Sequence, residues 1–305
     1  MSQAIAIVTH ECGWHSERLR AVFTANGYAA RTVSLTDCHM DIQHHQDDPG
    51  LRIPGFTGEL PLGALVRGVP GGTLEEIVLY LDILHGLREL GVPVHNDARG
   101  IERTVDKGMT SFLLHRAGVP TPPTWVVRDP DRVRAIAQRE QRAGHALVLK
   151  PLFGSQGNGI MRIAGPADVP EPERYQNVYY LQRYIASAGS GWHDWRVFVV
   201  AGRAIAAMRR EGKTWINNVA TGAACYAAVP DGAMCLLAED AVRALDLSYA
   251  GVDLIRDRSG KLWVVEVNSV PAWKGLQGVC DVQIAEHVAG TLMSAIESLP
   301  TRAAV

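Results

Sequence analysis

The sequence predicts an α/β protein: an N-terminal domain built on a parallel sheet, followed by two α+β lobes. Three observations lead there. Residues 4–35 run as apolar strand, helical stretch and second apolar strand, the β–α–β order of parallel sheets. Strands and helices then recur, and one strand ends in Lys150 and runs into a glycine-rich segment at 151–159. Finally, residues 249–268 read as a hairpin that brings Asp253 near Glu266 and Asn268. Units of 1–100, 101–187 and 188–305 are expected.

At 305 residues, with 47% hydrophobic and 20% charged residues, the chain can form two or three lobes with cores of their own. A net charge of −2 without a long basic block argues against an electrostatic nucleic-acid binder. Cys12, Cys38, Cys225, Cys235 and Cys280 are scattered with no CxxC pair, which fits reduced thiols in a cytoplasm. The N-terminus lacks the basic flank and apolar core of a signal peptide, and no apolar run reaches the ~18 residues of a membrane span. A cytoplasmic protein with no membrane partner is expected.

Taken in order, residues 4–9 form a strand and 16–26 a helix closed by Gly27, with a second strand at 28–35. No GxGxxG stands at the first turn, which argues against a dinucleotide site. Residues 37–62 are rich in His, Asp, Pro and Gly and read as an irregular excursion. His39, His44 and His45 lack metal-ligand spacing there, so a solvated loop is the better reading. Ala64–Val66 is a buried strand ending at Arg67, followed by a helix at 73–90 and a strand at 92–95. Ligands bind beyond the carboxyl ends of such strands. Arg67 therefore either holds a substrate carboxylate or belongs to a surface ion pair. Cys12 and His15 either shape the same pocket or serve core and surface.

The second lobe begins near Ile101, with a helix at 105–117 that carries Asp106 and Lys107. A strand at 125–127, a helix at 131–143 and a strand at 146–150 follow. After Lys150, the small residues around Ser155, Gln156 and Gly157 let backbone amides close over an anion. The order of glycines is neither Walker A nor Rossmann, and the position after a strand-terminal lysine points to a phosphate lid. A strand at 178–185 puts Gln182 and Tyr184 on one side. Trp192–Val200 and 204–208 form a hairpin in which Asp194 and Arg196 share a face. Arg210 ends it, before a loop with Asn217 and Asn218. A helix at 238–245 and a strand with Asp253 lead into 262–268, where Glu266 and Asn268 share a face. A carboxylate beside an amide oxygen suits a hard cation such as Mg²⁺; the other reading is a half-exposed edge strand. A helix at 280–299 closes the chain.

This order of parts resembles the ATP-grasp superfamily, and within it the RimK-type ligases that join amino acids, often glutamate, to a carboxylate. The matching stretches are DKGMT (106–110), AGVPTPPTW (117–125), VLKPLFGSQGNGI (148–160), YLQRYI (180–185), DWRVFVV (194–200), AAMRR (206–210), GVDL (251–254) and EVNSVPAWKGLQ (265–277). Pro271-Ala272-Trp273 replaces the family's common Pro-Gly-Trp, and the histidine-rich excursion is unlike the shorter relatives. The resemblance implies an ATP-grasp fold whose two lobes clasp ATP. It implies that Lys107, Lys150 and the loop at Ser155, Gln156 and Gly157 contact the nucleotide phosphates, with Gln182 and Tyr184 beside the adenine and Asp194 on the ribose. It implies Arg210, Lys150 and Asn218 as catalytic residues, and Asp253, Glu266 and Asn268 as ligands of two Mg²⁺ (or Mn²⁺) ions. Arg67 and Lys274 are the substrate candidates.

The expected reaction is ATP-dependent ligation of a small-molecule or peptide carboxylate to an amino acid, through an acyl phosphate, by a homo-oligomer. A phosphotransferase on the same scaffold and a non-catalytic nucleotide-binding protein are the alternatives. The second fits poorly, because both lysines and all three ligand candidates are present.

Overall fold

The computed structural model describes residues 4–42, 48–56, 59–154, 157–189, 191–216 and 222–300, arranged mainly as three sheets with helices packed on them. In the N-terminal part, β1 (Ala4–Val8) and β2 (Ala29–Val33) precede a short pair, β3 (His39–Met40) and β4 (Leu51–Arg52). With β5 (Ala64–Val66) and β6 (Val94–His95) they give a parallel sheet in the order β2-β1-β5-β6. Every residue of β1 is buried, which fits a parallel strand covered on both faces. Helix α1 (Trp14–Ala25) covers one face through Leu19 and Phe23. Helix α2 (Leu74–Glu89) covers the other through Tyr80, Ile83, Leu84 and Leu87, and begins at a Thr73–Glu76 capping box. The closing helix α8 (Ile284–Glu297) joins the α1 side through Val288 and Leu292, so the end of the chain packs on its first sheet.

The expected helix at 105–117 is two helices, α3 (Ala98–Val105) and α4 (Lys107–Arg116). Asp106 explains the break: its carboxylate accepts from Gly108 and Met109 backbone N–H at 2.8 and 3.0 Å, an N-cap that starts a new helix. Lys107 thus becomes the first residue of α4.

The central lobe is an antiparallel sheet of β7 (Thr124–Val127), β8 (Leu147–Lys150), β9 (Met161–Ile163) and β10 (Tyr179–Arg183), ordered β7-β10-β8-β9. Helix α5 (Pro130–Arg142) buries Val133, Ile136 and Ala137 against it. The C-terminal lobe pairs β11 (Trp192–Val200), β12 (Arg203–Gly212), β13 (Ala224–Ala228), β14 (Tyr249–Arg256) and β15 (Leu262–Asn268) in the order β13-β12-β11-β14-β15, with α6 (Gly232–Leu245) on one face. The edge strands β9 and β13 and the one-turn helix α7 (Lys274–Gln277) go beyond the sequence expectation, because such short runs show no period.

The excursion at 37–62 is not wholly irregular. Its β3–β4 pair is tied by Arg52, which bridges Asp41 at 3.0 Å and Asp48 at 2.7 Å. His39 is exposed, while His44 and His45 lie outside the described residues. Among the described residues no helix is long and apolar enough to cross a membrane.

Candidate active site

A cleft of about 500 Å³ lies between the central and C-terminal sheets. On the central side it is lined by Lys107, Lys150, Gln182 and Tyr184, and on the other by Asp194, Arg196, Arg210, Asp253, Glu266 and Asn268.

Lys107 Nζ donates to the carbonyls of Gly154 (2.7 Å) and Leu152 (3.3 Å), which fastens it to the start of the glycine-rich loop. Lys150, at the end of β8, donates to Gln182 Oε1 at 2.8 Å. The Gln182 amide is itself oriented, because its Nε2 donates to Tyr180 Oη (3.0 Å) and Thr124 Oγ1 (3.3 Å). Among the described residues, neither lysine has a carboxylate within ion-pair distance. Burial pushes the pKa of both lysines down, while Glu266 across the cleft pulls both up. Two cations resting on neutral oxygens around one space make an anion site.

The loop after Lys150 needs its glycines. Gly157 (φ 79°) and Gly159 (φ 71°) are left-handed, and a Cβ on Gly159 would lie 2.9 Å from Pro151 Cγ. Ser155 and Gln156 lie outside the described residues, as does Asn218. Tyr184 lines the cleft with the Arg162 guanidinium 4.7 Å above its ring and the edge of Trp215 at 6.1 Å.

Strand register builds the opposite wall. Asp194 pairs with Arg210 in one cross-strand row, and two residues along β11 Arg196 pairs with Asp253, which in turn pairs with Glu266, so each arginine stands opposite an aspartate on the same face. Arg210 grips Asp194 with Nε and Nη2, each at 2.7 Å, and Nη2 also reaches Asp253 at 2.8 Å. Arg196 grips Asp253 with Nε and Nη2 at 2.7 and 2.8 Å. Burial alone would raise the Asp253 carboxyl, but Arg196 and Arg210 outweigh it and hold it at about 2. Glu266 faces the cleft exposed, and Asn268 Oδ1 accepts from the Val270 N–H at 2.9 Å. Glu266, Asn268 and Asp253 are all oxygen donors on one face, so the set fits a hard cation such as Mg²⁺. Among the described residues no three His, Cys, Asp or Glu side chains are grouped as metal ligands, since the third donor here is an amide.

The profile of the RimK-like ATP-grasp domain matches residues 104–292, the span that builds both walls. The chain belongs to the RimK-like ATP-grasp family. It is accordingly an ATP-dependent ligase. A tetrahydromethanopterin:alpha-L-glutamate ligase of Methanococcus maripaludis is 33% identical over 234 residues, 74% of this chain and 76% of that one. A probable alpha-L-glutamate ligase of Alkalilimnicola ehrlichii is 30% identical over 296 residues, 93% of this chain and 91% of that one. Among solved structures, the ATP-grasp ligase PsnB superposes with a TM-score of 0.74 at 18% identity, covering 97% of this chain and all (100%) of that one.

The structure gives several candidates partners that the sequence does not show, and leaves two outside the cleft. Gln182 spends its amide on Lys150, and both Asp194 oxygens are taken by Arg210. Arg210 lines the cleft but is almost fully buried between two carboxylates. Arg67 and Lys274 are not among the residues lining the cleft. Arg67 instead stacks 4.3 Å from the Trp273 ring centroid and donates to the Pro271 carbonyl at 2.8 Å. Its Nε and Nη1 are closed off from solvent with no hydrogen-bond partner among the described residues. Lys274 is exposed at the start of α7, and Cys12 is exposed. His15 packs edge-on to Trp273 and accepts its backbone N–H at 3.0 Å. Arg196 is the site residue to which the sequence reading gave no role. Its i+2 spacing from Asp194 was the available signal.

Proposed function

We propose that this ligase adds an amino acid such as glutamate to the carboxylate of a small coenzyme precursor or to a peptide C-terminus, through an acyl phosphate. The observation that carries the reading is the pair of lysines without carboxylate partners, facing a row of oxygen donors across one cleft. The acid's carboxylate oxygen bonds to the γ-phosphorus of ATP as the bond to ADP breaks. The amine nitrogen then bonds to the acyl carbon, phosphate leaves with the electron pair of its C–O bond, and the amine sheds a proton. The first step brings two anions together, so positive charge on both is the main requirement. Lys107 and Lys150 supply that charge on the phosphate side, and Arg210 and Arg196 supply it opposite. Mg²⁺ or Mn²⁺, as two ions held by Asp253, Glu266 and Asn268, would add charge neutralisation at the phosphates. The bond from Lys107 to Gly154, at the start of the glycine-rich loop, supports a role for that loop in sheltering the acyl phosphate from water.

The names of the relatives support glutamate as the incoming amino acid, and those on a pterin carrier support a small-molecule acceptor. A related PsnB structure with precursor, Mg and ADP supports magnesium and the nucleotide. The test is a phosphate-release screen of candidate acids crossed with amino acids, products being identified by mass spectrometry. With an acid labelled by ¹⁸O in its carboxylate, one labelled oxygen is expected in the released phosphate. Unlabelled phosphate alongside amide product would overturn the acyl-phosphate route, and a stable phosphorylated acceptor without amide would turn the reading to a phosphotransferase.

A further inference from the structure

The two arginines of the acidic wall are not held alike. Arg210 has two carboxylates: both Asp194 oxygens at 2.7 Å and Asp253 Oδ2 at 2.8 Å. Among the described residues Arg196 grips one carboxylate, with Nε and Nη2 both on Asp253 at 2.7 and 2.8 Å. A carboxylate drawn to a divalent cation cannot keep two guanidinium groups on the same two oxygens, because the like charges would crowd together. The arginine with a second carboxylate stays, and the one without is released.

Arg196 and Asp253 both line the cleft, so a released Arg196 faces open space. Gly251 on β14 has no left-handed φ, so backbone conformation does not require a glycine there. What it permits is close approach: a Cβ at 251 would sit 3.5 Å from Arg196 Cδ, 3.6 Å from its Nε and 3.1 Å from Pro271 Cβ, so the arginine side chain lies directly against β14 at this glycine. The Arg196 side chain also keeps 12% exposure against 2% for Arg210.

We propose that Arg196 is the exchange residue of this cleft. It covers Asp253 when no cation competes and passes to the phosphate oxygens of the nucleotide when a cation takes that carboxylate, while Asp194 keeps Arg210 in place. The proposal rests on the reading of Asp253 as a cation ligand. It requires cation and nucleotide to tighten each other's binding, with Arg196 carrying the coupling.

The experiment measures Mn²⁺ binding by electron paramagnetic resonance on the full chain, with and without AMPPNP. In the wild type AMPPNP should tighten Mn²⁺ by a factor of roughly 5–150. In Arg196→Met, Mn²⁺ alone should bind about tenfold tighter because Asp253 is uncovered, and the coupling should fall to near unity. Arg196→Lys keeps the charge but loses the two-pronged grip, so its coupling should fall at least about threefold, and it carries the test should the Met variant not fold. Unchanged coupling in the Arg196 variants would overturn the exchange role while leaving the cation site standing. If the wild type binds no Mn²⁺ even with AMPPNP, the cation-site reading falls and takes the exchange role with it.

Discussion

Lys107 and Lys150 rest on backbone carbonyls and an amide oxygen, whereas Arg196 and Arg210, across the same cleft, rest on carboxylates. Both walls hold cations in fixed positions, but only the second neutralises them. A neutral acceptor aims an ammonium without consuming its charge, and the uncompensated cation is then available to a ligand that brings the opposite sign. An ion-paired guanidinium is held more firmly, and its charge reaches a ligand only after a carboxylate finds another partner. The lysine wall is therefore built for binding at some cost to stability. The arginine wall is part of what holds the C-terminal sheet together.

The largest effect should come from the acidic residue outside the paired network. Glu266→Gln is expected to lower turnover by roughly 10³-fold or more while leaving the melting temperature close to wild type. Wild-type turnover would remove Glu266 from the chemistry.

Lys150→Met should reduce kcat/KM by about 10²–10³-fold, measured by coupled ADP release once a substrate pair is in hand. The same variant should melt at or above the wild-type temperature, with a gain of roughly 2–4 °C for each kcal/mol recovered. A clear loss of stability would break the contrast, because it would mean that Lys150 is already neutralised.

Arg210→Met should do the opposite to stability. It strands the buried Asp194 and takes one partner from Asp253, at a cost of about 3–5 kcal/mol, visible as a marked drop in the apparent melting temperature. A drop no larger than that of a surface variant would show that the network adds little to the sheet.

Gln182→Leu sharpens the comparison from the other side. Lys150 keeps its charge and loses its aim, so nucleotide affinity by calorimetry should weaken by only about tenfold.

The smallest effect belongs to neither wall. Burial, and then Arg67 and Lys274, lower the His15 pKa from 6.5 to about 4. Between these values the unfolded chain binds the proton more readily, so stability falls as pH drops through that window. Protonation would also cost His15 Nε2 its role as acceptor for the Trp273 N–H. The difference in melting temperature between wild type and His15→Gln should therefore change between pH 4 and 6.5 and flatten above it. A flat difference throughout would mean that His15 is solvated.

Much of the fold was legible along the chain. Ala64–Val66, Trp192–Val200 and Tyr249–Arg256 lie where their apolar runs place them, and Lys150 ends its strand as expected. Glu266 and Asn268 share a face because a strand repeats every two residues, and Asp253 joins them through hairpin register. These are consequences of backbone periodicity and hydrogen bonding between neighbouring strands, which a sequence carries locally. The capping signal of Asp106 was equally local, but it lay inside a helical pattern and is seen as a break only once both helices are placed.

What each charged side chain does depends on contacts between residues far apart in sequence. Arg67 turns onto Trp273, 206 positions away, because folding stacks the first sheet against the segment after β15. Gln182 serves Lys150 because β10 pairs with β8. Asp194 holds Arg210, and Arg196 has one carboxylate where Arg210 has two, because β12, β11 and β14 lie side by side in that order. The sequence by itself determined the residues that carry charge and the strand face on which each stands. Only the tertiary structure decided which charges are spent on one another and which are left for a ligand, because the choice of partner depends on distances of a few ångströms between separate elements, and periodicity along one element does not encode them.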